Sequence, residues 1–334
     1  MSIALSTLRV VGTLRSRRHE PTPPSRRDRY TAGWLDAATR LDLAAEDLGE
    51  GYVRVATAAG PVLLHGAHVG IDDIATYFLV SNRRVSSELL ERAGVSASRG
   101  TTYAATSAEL RRALRRHGPS LVVKPSADSG GGRGITSRPA TGRQCAAAVL
   151  DALGAGPAVV CEPHRDGAVH RVLVLHGEVL DTVVRHPATV VGDGTSTVLD
   201  LVARENRRRR LLGPDATGLI PTGADLHAAL GRQKLTPRST PAAGRVVTVS
   251  GRSNTGSELE SRRVAASSDV ADVAVRAAAA LGVHLAGVDV VVDAAGRPEV
   301  VLEVNTAPGL HWHQLVEADP YDVFVEVLKR LDAA

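Results

Sequence analysis

Apolar positions along the chain recur with two spacings, every second residue and every three to four, and the switches between them mark the elements. "YTAGWLDAATRLDLAAEDLG" (30–49) reads as a helix and is followed by short strands in "GYVRVATAAGPVLLHG". "SNRRVSSELLERAGV" predicts a helix stopped by Gly94, and "SAELRRALRRHG" a helix leading into the strand "SLVVKP". Beyond a glycine-rich loop come the helix "GRQCAAAVLDALG", the strand "PAVVCEP" and hairpin strands in "HRVLVLHGEVLDTVVRHPATVVG". "TSTVLDLVARENRRRR" is helical, 211–244 is loop-rich with one helix near "GADLHAALGRQ", and "GRVVTVSG" is a strand. The helix "SSDVADVAVRAAAALG" precedes a final ribbon. This mixture, with several hairpins, predicts an α+β fold of subdomains rather than one doubly wound sheet.

The ribbon joins "LAGVDVVVDAAGRP" to "EVVLEVNTAPGLHWH" through an Ala-Ala-Gly-Arg-Pro turn. Pairing Asp293 with Glu299 sets Asp289 opposite Glu303, and a slip by two residues keeps Asp289 on that face. Residues i and i+2 of a strand lie roughly 7 Å apart on one side, so Glu303 and Asn305 project together. Three oxygen-bearing side chains therefore meet on one patch. Hard oxygen donors suit Mg²⁺, which keeps coordination positions open for phosphates. The competing reading is the solvated face of an edge hairpin.

Composition narrows the field. The 334 residues are 43% hydrophobic and 23% charged, as in a soluble globular protein with two or three subdomains. Residues 15–29 are basic and proline-rich, so 1–29 is expected to be a flexible basic lead-in. Cys145 and Cys161 have no metal or redox spacing and point to a reducing cytoplasm. No run of uncharged apolar residues is long enough to span a membrane, and the basic cluster follows the first apolar stretch instead of preceding it, unlike a signal peptide. A net charge of +4 permits an anionic ligand without demanding nucleic acid. The Arg207–Arg210 run has no interleaved aromatics on which bases could stack.

Other residues carry candidate chemistry. "SLVVKPSADSGGGRGIT" puts Lys124 at a strand end, followed by Ser129 and by Gly130, Gly131, Gly132 and Gly134. Glycines let backbone N–H groups close on phosphate oxygens, and the lysine adds a point charge. No Gly-Lys-Ser/Thr ends the loop and a β segment follows it, so it is not a Walker A loop; a plain flexible loop is the alternative. Arg171 and Arg185 lie in strands, and their forks suit phosphate or carboxylate unless they are ordinary surface arginines. His311 and His313 could pair on zinc, but no third ligand stands at an informative spacing. No Gly-x-Ser-x-Gly elbow is present.

Taken together, "VVKPSADSGGGRGI", "VVGDGTSTVLDLVARENR", "GVDVVV" and "LEVNTAPGL", in that order between about residues 79 and 316, resemble the ATP-grasp carboxylate–amine ligases, in particular cyanophycin synthetases and glutathione-synthetase-type enzymes. The ending is similar also to that of D-alanine–D-alanine ligases. The resemblance implies two α+β subdomains clasping ATP, 79–162 with the glycine loop and 163–334 with the metal site, behind a small N-terminal domain at 30–78. It implies that Lys124 and the 126–134 loop hold ATP phosphates, with Glu162 at the adenine hinge. Arg171 and Arg185 would neutralise the transferring phosphoryl group, and Asp289, Glu303 and Asn305 would bind one or two Mg²⁺ ions, or Mn²⁺. Asn254 matches an Asn segment near the substrate carboxylate, and His311 and His313 would face the acceptor pocket. Three departures stand out. Arg83 or Arg84 occupies the place of a family Lys, Val169 that of a ribose-binding carboxylate, and "SNTGSELESRR" lacks a Gly-Gly and an Asp. The implied activity is ADP-forming ligation of a carboxylate to an amine through an acyl-phosphate, with amino-acid-type small molecules as substrates, no nucleic acid or membrane partner, and a homodimer as the family's habit. A kinase acting on a hydroxyl and a non-catalytic nucleotide binder are the alternatives.

Overall fold

The computed structural model describes residues 25–103, 108–117, 120–127, 132–211, 218–256, 262–314 and 321–333. The chain opens with helix α1 (Arg26–Arg40) and the meander β1 (Ala45–Gly49), β2 (Tyr52–Thr57) and β3 (Gly60–His65). Helices α2 (Ile74–Ser81) and α3 (Arg83–Arg92) lead to β4 (Thr101–Tyr103), α4 (Ala108–His117), β5 (Leu121–Pro125), β6 (Thr136–Ser137), α5 (Gly142–Leu153) and β7 (Val159–Pro163). These four strands form one antiparallel sheet in the order β4-β7-β5-β6. Next come β8 (Ala168–Leu175), β9 (Glu178–Arg185), β10 (Thr189–Val191), α6 (Val198–Leu211), α7 (Ala224–Arg232), β11 (Val246–Thr248) and a 3₁₀ turn at Ser253–Thr255. The remainder is β12 (Arg262–Arg263), α8 (Ser268–Ala280), β13 (Leu285–Val292), β14 (Pro298–Thr306), the single turn α9 (His311–Gln314) and α10 (Val323–Asp332). A five-stranded sheet runs β12-β9-β8-β13-β14, and β10 and β11 pair separately. No described helix is long and apolar enough to cross a membrane.

Alternation along the five-stranded sheet divides its two faces. Val172, Val174, Val288, Val290 and Val292 project to one side, where Val270, Ala274, Ala277 and Ala278 of α8 cover them. Small alanines let that helix lie close to the strands. The opposite face changes character along its length. At one end Leu173, Leu175 and Leu285 join Tyr30 and Trp34 of α1 and Phe324, Val327 and Leu328 of α10 in one core. At the other end the same alternation presents Arg171 and Asp289, cross-strand neighbours. One face thus anchors the N-terminal unit and also builds the polar site.

Residues 25–29, which the composition assigns to the lead-in, open α1, and residues 1–24 lie outside the described residues. Ser25 caps α1, its side chain receiving Asp28 N while Asp28 accepts from Ser25 N, a reciprocal capping box. The pattern over 30–49 predicts one helix, whereas α1 ends at Arg40 and "AEDLG" is strand β1. Asp42, at φ 56°, breaks the helix, and backbone pairing with β2 recruits a segment of weak strand propensity. Helix α2 lies in a stretch for which the pattern predicted nothing, and Asp73 caps it. Both cysteines are buried, and burial pushes the Cys161 thiol up to about 12.

The Phe324 ring closes the contact between the two ends of the chain. It meets Trp34 at 4.8 Å and Tyr30 at 5.4 Å, both edge-on, and a Cβ on Gly33 would come within 2.7 Å of it. Truncating it leaves a hole that α1 cannot fill. Phe324→Ala is expected to cost about 3–5 kcal/mol in urea unfolding, and a loss under about 1 kcal/mol would show that α1 does not depend on this contact.

Candidate functional site

Asp289 stands opposite Glu303, as the alternation requires, but the ribbon reaches that register by another route. Two bulges separate the turn from the site: Val292 faces Pro298, Val290 faces Val301, and only then does Asp289 face Glu303. Asp293 bonds Arg297 O across the turn and does not pair with Glu299. The buried Asp289 carboxylate accepts from Arg171 through Nε at 2.6 Å and Nη2 at 3.0 Å, and from Arg185 Nη1 at 3.3 and 3.4 Å. Gly287 makes this possible, because a Cβ there would lie 2.4 Å from Arg171 Nη1 and 2.7 Å from Pro308. Burial and the neighbouring Arg171 pull Arg185 down to about 10.

Glu303 takes Arg83 Nη1 at 3.1 Å and Asn305 Nδ2 at 3.2 Å, and Asn305 also donates to Gly287 O. Burial pushes the Glu303 carboxyl up, but Arg83, Arg171 and Lys124 outweigh it and hold the group well below the usual carboxylate range. Lys124 donates to Glu162 at 2.5 Å, both nearly sealed from solvent. Burial lowers the Lys124 pKa, partly offset by Glu162, while Arg83 lowers it further. Glu162 Oε2 has no hydrogen-bond partner among the described residues.

A cavity of about 370 Å³ joins these groups, with Arg83, Lys124, Glu162, Arg185, Asp289 and Glu303 in its walls. Asn254, on the 3₁₀ turn, lines it as well, 2.9 Å from where a Gly132 Cβ would be. Gly132 and Gly134 have positive φ, and a Cβ on Gly134 would strike Asp151 O at 2.8 Å. These two glycines are set by close packing at the loop's exit. Ser129, Gly130 and Gly131 lie outside the described residues.

Several predicted residues stand elsewhere. Arg171 does not line the cavity; its Nε and Nη2 are engaged by Asp289. Asn305 lines a smaller gap, about 60 Å³, on the far side of Glu303. Of Arg83 and Arg84, Arg83 lines the cavity and pairs with Glu303, while Arg84 pairs with half-exposed Glu88. His311 and His313 do not line the cavity. His313 is fully buried, with Nδ1 2.7 Å from Asp181, and His311 Nδ1 lies 3.1 Å from the Tyr30 hydroxyl. Among the described residues no three His, Cys, Asp or Glu side chains gather to hold a metal, so the histidines gain no third zinc ligand. The oxygen trio suits a hard cation by donor type: two carboxylates and an amide whose nitrogen is already engaged.

No family model matches the chain. The cyanophycin synthetase of a Nostoc species is 28% identical over 246 residues, covering 70% of this chain and 27% of that protein. The glutathione biosynthesis bifunctional protein of Enterococcus faecalis is 28% identical over 273 residues, covering 75% of this chain and 36% of its own length. A bifunctional glutathione synthetase from Pasteurella multocida superposes with a TM-score of 0.55 at 23% identity, covering 90% of this chain and 43% of the solved one. The chain has the ATP-grasp fold. It spans well under half the length of these proteins. The cavity lies between the four-stranded sheet, which supplies Lys124 and Glu162, and the five-stranded sheet, which supplies Arg185, Asp289 and Glu303.

Sequence reasoning missed Arg138, Arg165, Arg232 and Arg252, which also line the cavity. Arg252 reaches from Asp225 to the carbonyl of Gly132. The only signal was its place two residues before Asn254, and it is hidden in an arginine-rich chain. Ile135, Val291 and Leu302 form apolar parts of the wall.

Two outcomes are expected. Gly287→Ala pushes the Arg171 guanidinium off Asp289 and leaves a buried carboxylate poorly paired, so unfolding free energy in urea falls by about 3–5 kcal/mol; an unchanged value would refute the close-approach argument. The ordinary Glu303 value is 4.5 and the folded one lies lower, so its ion pairs contribute stability at neutral pH that is lost on acidification. Glu303→Gln should therefore show a shallower fall in unfolding free energy between about pH 5 and about pH 3 than the parent, and parallel curves would contradict this.

Proposed function

We propose that the chain is an ATP-dependent, ADP-forming ligase that joins a small carboxylic acid of amino-acid type to an amine in the cytoplasm. The observation that carries this reading is the cavity wall in which Lys124, Arg83 and Arg185 stand beside the carboxylates of Asp289 and Glu303. Cationic side chains outnumber carboxylates around the cavity, which favours a polyanionic ligand. Ile135, Val291 and Leu302 offer the apolar surface a purine needs.

In this reading Lys124 and Arg83 meet the phosphates, the former released from Glu162 as the nucleotide enters. Glu162 keeps an unsatisfied oxygen near the strand end where the adenine amino group would donate. Asp289, Glu303 and Asn305 would hold Mg²⁺, or Mn²⁺ in its place, which would supply charge neutralisation at the phosphates. The acid's carboxylate oxygen attacks the γ-phosphorus as the bond to the β-phosphate oxygen breaks, giving an acyl-phosphate and ADP. The amine then attacks the acyl carbon, inorganic phosphate leaves, and the nitrogen loses a proton. Arg185 faces the charge that develops in both steps, with Arg171 holding Asp289 in line behind it. Most of the protein's contribution is alignment in a site shielded from water, because acyl-phosphates hydrolyse.

The test is ADP release with a panel of amino-acid pairs, together with product mass. Glu303→Ala and Asn305→Ala are expected to lower amino-acid-stimulated ADP release by more than about a hundredfold. Full activity in both variants sinks the metal assignment. A phosphorylated hydroxyl in place of an amide would make the protein a kinase, and nucleotide binding without turnover for any acceptor would make it a non-catalytic binder.

A further inference from the structure

The turn that follows the oxygen trio carries His311, Trp312 and His313, and none of them lines the cavity. Their contacts lead to Arg185 instead. The Trp312 ring packs on Val183, and the guanidinium carbon of Arg185 stands 4.9 Å from its centre. An indole face attracts a cation electrostatically, and more strongly when both are out of water, as here. Arg185 has few other constraints. It reaches Asp289 only at 3.3 and 3.4 Å, and its buried Nε has no hydrogen-bond partner among the described residues. Arg171, by contrast, grips the same carboxylate with two shorter bonds.

The ring is itself held firmly. His313 Nδ1 lies 2.7 Å from Asp181, Arg263 donates to Asp181 at 2.9 Å, and Arg263 also donates to the His313 carbonyl at 2.7 Å. Asp181, Val183 and Arg185 occupy alternate positions of β9, so one strand face carries the clamp, the seat of the ring and the cation.

We infer that Trp312 is a positioning residue, a flat seat that fixes the Arg185 guanidinium at the cavity wall, with the Asp181–His313–Arg263 cluster locking the seat to β9. This rests on the ligase reading for the meaning of Arg185, but not for the contact itself. The geometry also accounts for the tryptophan: a group held by weak bonds to one carboxylate needs a broad surface behind it if it is to meet a phosphoryl group without reorganising.

Two measurements test the inference. Trp312→Leu should lower kcat about 10- to 100-fold with KM for ATP changed less than about threefold, and Trp312→Phe, which keeps an aromatic face, should recover most of that loss. Equal kcat in the Leu variant and the parent overturns the proposal, as does a Phe variant as impaired as the Leu one. The second readout does not need turnover. The chain has two tryptophans, and Trp34 sits in the separate core beneath α1. Titrating the parent with Mg·ATP, and separately with inorganic phosphate, should change the indole emission saturably, and Trp312→Phe should abolish the change. Emission that ignores Mg·ATP while calorimetry records binding overturns the proposal, and this comparison decides the matter if the Leu variant does not fold. A normal emission response without ligase turnover removes the ligase reading and supports the Trp312–Arg185 contact.

Discussion

Asp289 is a carboxylate walled in by strands, and an isolated charge there would be prohibitively costly. The two-pronged grip of Arg171 makes it tolerable, and much around the site is arranged to allow that grip. Gly287 leaves the space over which the guanidinium passes. The two bulges in the ribbon put Asp289 opposite Glu303 so that both acids share one set of cations. Replacing Arg171 alone would leave a charge that Arg185 meets only at long range.

The innermost charges of the cleft are cross-neutralised. Lys124 is matched by Glu162, Glu303 by Arg83, and Asp289 by two arginines. Such pairs keep ionised groups in place at low dielectric, but a polyanion must break some of them to enter. The pairs thus hold Lys124, Arg83 and Arg185 at the cavity wall. Arg83 differs from a lysine in that role: a planar fork can keep one arm on Glu303 while offering another, which a point charge cannot do.

Much of this was legible in sequence because it follows from alternation. Glu303 and Asn305 had to share a face, and Asp289 had to stand across from them, whatever the details of the turn. The bulges were not legible, because no residue in "EVVLEV" announces an extra one. Strand β1 was hidden because its helix-prone composition is overruled by pairing with β2. Arg83 and Arg84 look alike until the phase of α3 sends one inward. The fate of His313 depended on Asp181, far away in sequence, and nothing near the Pro-Gly turn hints at it. Arg252 was lost among many arginines, since a residue type used everywhere carries little information anywhere.

The shared core of α1 and α10 has a bearing on how the polypeptide is made. Tyr30 and Trp34 share their core with Val53, Val55 and Leu64 of the meander, with Leu285 and with residues 323–331. A nascent chain leaving the ribosome can cover part of that helix with the meander, but the side that meets α10 stays bare until nearly three hundred further residues have been added, because contacts so distant in sequence cannot form earlier. The α1 unit is thus fully sealed long after it is made, and it is there that a chaperone would find its handle.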